Sequence, residues 1–294
     1  MVEFSFPALG TVWWIMVDHL GFDETDKRKV INFVADFEAR YSRFLSDSEI
    51  GKINRSKKEK VGVSADLKKM LELGETLQVV TEGRFNLNIN RLLLSYGYDK
   101  EYSFAKRAII HATEGSFSLS GDTLIKKGEV ELDLGGVGKG YLIDRVSKLL
   151  TGLGYKFHLV DGGGDIYATT KADGHPWKIA LEHPINKDEG FGVVEIKNES
   201  VATSSSNKRR AGKFHHLLNP ETKRPEESIL SVTTLAKKAF LADAGATAIF
   251  VSDKKNWQRI AQVLGLYYLV VFPDLSYEAS ASFGLDTVTM LSLG

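Results

Sequence analysis

The chain has 294 residues, 43% of them hydrophobic, with 38 basic side chains against 38 acidic ones and no cysteine. That composition suffices to bury a core, and it offers no long basic stripe to follow a nucleic-acid backbone, so no nucleic-acid partner is expected. Disulfides, thiolate metal centres, a lipid-modified cysteine and a cysteine nucleophile are all excluded.

At the N-terminus, "MVEFSFPALGTVWWIMV" lacks a basic leader, and its apolar run at 12–17 is too short for the hydrophobic part of a signal peptide. It reads as a first β-strand. If this is the native start, the expectation is an intracellular protein. If the sequence is a trimmed mature domain, a periplasmic or otherwise extracytoplasmic, membrane-anchored protein is expected instead. Residues 25–45 carry Val30, Phe33, Val34, Phe37 and Tyr41 at three- and four-residue spacing, which predicts an amphipathic helix. Ser46 with Glu49 three residues on predicts a capping box for a short second helix, and Ser64 opens a third through Leu67, Met70, Leu71, Leu73 and Leu77.

From about position 105 the pattern changes to short β-type runs, "RAIIHA", "SFSLS" and "TLIKKGEVELDL", followed by a helix over 139–150 and strands "FHLVD" and "DIYATT". Helices over 237–251 and 257–264 and a closing pair of strands complete the chain. The longest late apolar run, "LGLYYLVVF", falls well short of the ~20 residues of a membrane helix, so no transmembrane segment is expected. Strands and helices come in blocks, which predicts an α+β fold of mixed or antiparallel sheets with packed helices, and residues 1–294 as one interwoven domain.

Three places carry chemistry. In the first, nine of the 27 glycines fall between positions 135 and 164, in "LDLGGVGKGYLID" and the segments after it. The spacing matches neither a P-loop nor a dinucleotide fingerprint. It reads either as two tight turns or as a turn whose free N–H groups face an anion, with Lys139 adding charge and Asp133 just before it. In the second, "FLADAGATAIFVSD", Asp243 and Thr247 sit four apart on a helix. Their oxygens suit magnesium and not zinc, although taken alone such a pair reads as a solvated face. The third, "KFHHLLNPETKRP", has two adjacent histidines, of which strand alternation lets only one face a cleft. Upstream, "VATSSSNKRR" reads as an exposed loop.

Taken in order, "FPALGT", "SRFLSDSEIGKIN", "GRFNLNIN", "LDLGGVGKGYLID", "LVDGGGDIYA", "VATSS", "HHLLNP" and "ADAGATAIFV" resemble the ApbE-like FAD:protein FMN transferases, over nearly the whole chain. The resemblance implies an ApbE-like fold and an enzyme that splits the FAD pyrophosphate. FMN would pass through a phosphoester bond to a Thr or Ser of an acceptor flavoprotein subunit of the redox-complex type, with release of AMP. It implies a Mg2+ site from the Gly136 carbonyl, Asp243 and Thr247, and His216 as the base, with His215 as its outward neighbour. FAD contacts are implied for Leu9, Phe44, Phe85, Asn86, Asp133, Lys139 and Leu217. The chain departs from the family pattern at Leu9 (usually Met), Phe44 (often Tyr), Asn86 (commonly Asp), Ala246 (an acid in some members) and in "TSSSNKR" and "LNPETKRP". Two further readings of the same residues are an FAD pyrophosphatase and a non-catalytic FAD-binding protein.

Overall fold

In the computed structural model the described residues are 1–18, 21–99, 115–186, 188–207, 210–211, 214–281 and 283. The predicted run "RAIIHA" lies outside them. Eight of the strands among the described residues form one sheet whose spatial order is their chain order: Val2–Ala8, Thr11–Val17, His158–Gly162, Ile166–Ala168, Glu199–Ser205, Ser231–Ala236, Leu266–Val271 and Tyr277–Ala279. Every neighbouring pair is antiparallel, which agrees with the expected fold class.

Among the described residues seven helices accompany it: α1 (Glu24–Tyr41), α2 (Glu49–Arg55), α3 (Ala65–Val80), α4 (Asn90–Ser95), α5 (Gly138–Gly152), α6 (Ala239–Phe250) and α7 (Lys254–Leu264). Side-chain alternation assigns the two faces of the sheet. Val160, Ala202 and Val270 enter the main core with Ile143 of α5 and Ile249 of α6. Their strand neighbours Leu159, Val201 and Leu269 pack in a second cluster with Trp177 and Val194 of the hairpin Trp177–Glu182 and Gly190–Ile196. Helices α5 and α6 therefore cover one face and the hairpin covers the other.

Several expectations are corrected. The apolar run at 12–17 is the second strand, because Val2–Ala8 already pairs with it across a turn at Leu9 and Gly10. The cap of α2 is Ser48, whose hydroxyl takes the Gly51 N–H at 2.8 Å, and not Ser46. Glu49 is drawn away from the capping box, accepting the Ser64 N–H at 2.7 Å. The segment leading to the glycine turn lies outside any strand. Asn54 takes the place of a neighbouring strand there, accepting the Leu132 N–H at 2.7 Å and donating to the Leu132 carbonyl at 2.9 Å. "VATSS" is a strand of the main sheet and not an exposed loop.

Candidate active site

Two adjoining clefts hold the chemistry. The larger, of ≈ 380 Å³, is lined by Leu9, Phe44, Asp133 and Lys139 together with Arg43 and Tyr98. The smaller, of ≈ 70 Å³, is lined by Phe85, Asn86, Gly136, His216, Leu217 and Thr247, again with Tyr98 and Asp133. Tyr98, Asp133 and Gly135 line both, so the two form one groove. Of the eleven residues singled out from the sequence, ten lie on this groove, and Asp243 lies directly behind it, against Gly140.

The positions follow from local structure. Leu9 sits at the tip of the first hairpin with φ 52, a left-handed conformation that a leucine holds here because Glu38 of α1 accepts its N–H at 3.1 Å. Phe85 is buried, its N–H given to the hydroxyl of Thr81 at 2.8 Å. Asn86 folds back on its own loop and accepts the Asn88 N–H at 2.8 Å. Asp133 makes an Asx turn, accepting the Gly135 N–H at 2.8 Å on one oxygen, while the other pairs with the Arg43 guanidinium at 2.6 Å. Both carboxylate oxygens thus shape the turn, and Asp133 lies outside any strand.

Glycine is required at one position of this turn and helix and favoured at a second. A Cβ at Gly140 would stand 2.2 Å from the Ala239 carbonyl oxygen and 2.7 Å from the Cβ of Asp243, so only glycine lets α5 and α6 touch there. At Gly136 a Cβ would come within 3.1 Å of the Phe85 ring and 3.3 Å of the Thr247 methyl. The bare backbone at 136 is what brings its peptide group next to Thr247.

Asp243 is buried, contrary to the solvated-face reading, and its carboxylate accepts the Gly140 N–H at 2.8 Å. Burial first, and then the charge of Asp165, pushes its carboxyl well above the usual carboxylate range, against the opposing pull of Lys139. Lys139 itself pairs with Asp165 at 2.6 Å. Two enclosed carboxylates therefore face Lys139, an arrangement that a further cation would relieve. Thr247 is one turn along α6 from Asp243, and its hydroxyl meets Ser204 at 3.1 Å. No group of three His, Cys, Asp or Glu side chains is placed to hold a metal among the described residues. A cation here would draw on one carboxylate, one hydroxyl and the Gly136 carbonyl, all hard oxygens that fit Mg2+.

His216 occupies a bend just after the two-residue strand Phe214–His215, and its ring stacks on Tyr98 at 5.7 Å and 24°. His215 is not the outward member of the pair. It is 4% exposed, donates from Nε2 to the Glu226 carbonyl at 3.0 Å, accepts the Leu217 N–H on Nδ1 at 3.3 Å and stands edge-on to Phe250. Strand alternation does not govern the pair, because the strand stops between the two residues.

Arg43, Tyr98 and Asp165 were not singled out from the sequence as site residues. Arg43 and Asp165 lie inside the quoted segments "SRFLSDSEIGKIN" and "LVDGGGDIYA", where an acid directly after three glycines was the available signal. Their partners are dozens of positions away, so spacing alone could not pair them.

A family model described as the ApbE family matches residues 9–270. A FAD:protein FMN transferase of Haemophilus influenzae is 26% identical over 98% of this chain and 92% of its own length. Another from Vibrio cholerae is 25% identical over 92% of this chain and 87% of its own length. Among solved structures, the ApbE protein of Thermotoga maritima superposes with a TM-score of 0.85 at 26% identity, covering 96% of this chain and 97% of that one. The flavin transferase ApbE of Vibrio cholerae does so at 0.80 and 25%, over the same 96% of this chain and 97% of its own.

Proposed function

Since this chain belongs to the ApbE family of transferase enzymes, we propose that it is a magnesium-dependent FAD:protein FMN transferase. One observation carries the reading. His216, Gly136 and Thr247 line one cleft, which continues through Tyr98, Asp133 and Gly135 into a second cleft holding Leu9, Phe44 and Lys139. FAD binds along this groove, with its flavin toward Leu9 and Phe44, and with Phe85, Asn86 and Leu217 in the adjoining wall.

The Gly136 carbonyl, Asp243 and Thr247 would hold Mg2+, which when bound neutralises charge on the phosphoryl oxygens. His216 accepts the proton from a Thr or Ser hydroxyl of an acceptor flavoprotein subunit of the redox-complex type. That oxygen attacks the phosphorus of the FMN half in line. A phosphoester bond forms, the pyrophosphate bond breaks, and AMP leaves with the bridging oxygen. Lys139 stays paired with Asp165 and keeps positive charge beside the turn.

The test is incubation with FAD and Mg2+, with and without a domain carrying an acceptor threonine, following AMP release and covalent flavin fluorescence together. AMP with a fluorescent acceptor is the expected result. AMP with free FMN and no labelling makes water the nucleophile and the chain an FAD pyrophosphatase. Bound FAD with no AMP, with manganese as well, leaves a flavin-binding protein.

A further inference from the structure

We infer that Arg43 and Tyr98 form a clamp that orients the His216 ring and ties it to the glycine turn, a reading that rests on His216 as the base proposed above. His216 lies between two short strands, Phe214–His215 and Leu218–Asn219, and belongs to neither. Rotation of an imidazole about its terminal bond is a broad, two-fold torsion, so its facing must come from what it packs against. Tyr98, 7% exposed, supplies a flat surface, with the two rings 24° from parallel.

Tyr98 is in turn held by Arg43. The guanidinium donates from one terminal nitrogen to the Tyr98 carbonyl at 2.7 Å and from the other to the Asn90 side-chain oxygen, while Nε pairs with Asp133 at 2.6 Å. Its centre lies 4.3 Å from the Phe44 ring centroid and 5.0 Å from that of Tyr98. With its side chain only 5% exposed, Arg43 has its donors aimed at three fixed partners in a planar fork. One end of the clamp is the Asx turn that presents Gly136, and the other is the ring behind the base. A single residue thereby sets the spacing between the base and the turn. Lysine, a point charge without the fork, cannot make these contacts together.

Arg43 and Tyr98 are positioning residues and take no proton. The test compares Y98L, Y98F and R43K with wild type by steady-state transfer kinetics and by NMR of the His216 ring protons, assigned with H216Q. Displacing a reacting group by about an ångström costs as much as ~10²-fold, so Y98L and R43K are expected to lose ~10–100-fold in kcat with the KM for FAD changed less than about threefold. The ring, and not the hydroxyl, makes the stack, so Y98F is expected to restore kcat. The upfield ring-current shift of the His216 protons should persist in Y98F and vanish in Y98L. Folded Y98L with wild-type kcat, or a His216 shift unchanged by Y98L, would overturn the clamp. R43K keeps the test open should Y98L not fold, since it leaves the ring in place. H216A separates the two readings: normal transfer by H216A removes the base itself, whereas an inactive H216A beside a fully active Y98L removes only the clamp.

Discussion

The carboxylate of Asp243 on α6 accepts the Gly140 N–H of α5 at 2.8 Å. The favour is returned from the other direction, because Asp144 of α5 accepts the N–H groups of Ala239 and Phe240 at the start of α6, at 2.9 and 3.1 Å. Neither helix has a side-chain cap of its own. Each N-terminus is satisfied by an acid of the other helix, and the favourable meeting of a negative charge with a helix N-terminus occurs twice in one packed pair. The residue proposed to hold the metal is therefore also part of the joint between the helices.

Removing the Asp243 charge should separate these two roles. D243N keeps an oxygen for the Gly140 N–H but loses the charge, so transfer should fall by ~10²-fold or more as the proposed metal site weakens. A carboxyl raised by burial opposes folding increasingly as pH rises from the ordinary aspartate range toward its folded value. Metal-free wild type should accordingly lose stability over that window and regain it on adding Mg2+, while D243N should lose less, keeping only the part carried by other buried acids such as Asp144, and should show no Mg2+ response. Melting curves against pH, with and without Mg2+, measure both.

The Asp144 carboxyl is pushed up to about 6 by burial, which outweighs the two N–H bonds it accepts. The unfolded chain ionises this acid more readily, so its contribution to stability declines as pH rises from the ordinary aspartate value of ~4 to about 6, by on the order of 3 kcal/mol, and is flat above. D144N should reduce the slope of stability against pH in urea denaturation measured between those limits, leaving the part that Asp243 carries. An unchanged slope would place the ionisation elsewhere.

Alanine at the two key glycines should give different failures. In G140A the new methyl meets backbone on α6, and a clash with backbone has no cheap relief, so a loss of ~3 kcal/mol or more in folding stability is expected. In G136A the neighbours are a ring and a methyl that can yield by tenths of an ångström. That variant should fold with a loss of about 1 kcal/mol and show its defect mainly in the Mg2+ concentration needed for transfer. Denaturation and metal titration of both variants distinguish these outcomes.

Breaking the Lys139–Asp165 pair from one side should cost more than removing both charges. K139M leaves Asp165, whose side chain is 3% exposed, enclosed beside Asp243 with no ammonium, and a loss of ~3–5 kcal/mol is expected. K139M/D165N should recover part of that loss. A double-mutant cycle showing simple additivity would mean that the pair is not coupled.

Helices α1 and α3 were legible from three- and four-residue apolar spacing, since each buries one face and exposes the other. The strands "SFSLS" and "VATSS" differ in a telling way: the first stood out by alternation, while the second is buried enough in the main sheet that its run of small polar residues imitated a loop. The sequence by itself determined which residue types stand in which order: the glycine turn, the acid and hydroxyl four apart on α6, and the paired histidines. Only the tertiary structure decided which histidine reaches the groove, that Asp133 and Asn86 spend side-chain oxygens on shaping their own loops, and that Asp165 and Arg43 belong to the site. The physical reason is one of range. Periodicity and capping act within a turn or two of chain, whereas Asp243 meets Gly140 and Asp165 meets Lys139 only after the sheet has brought distant segments together.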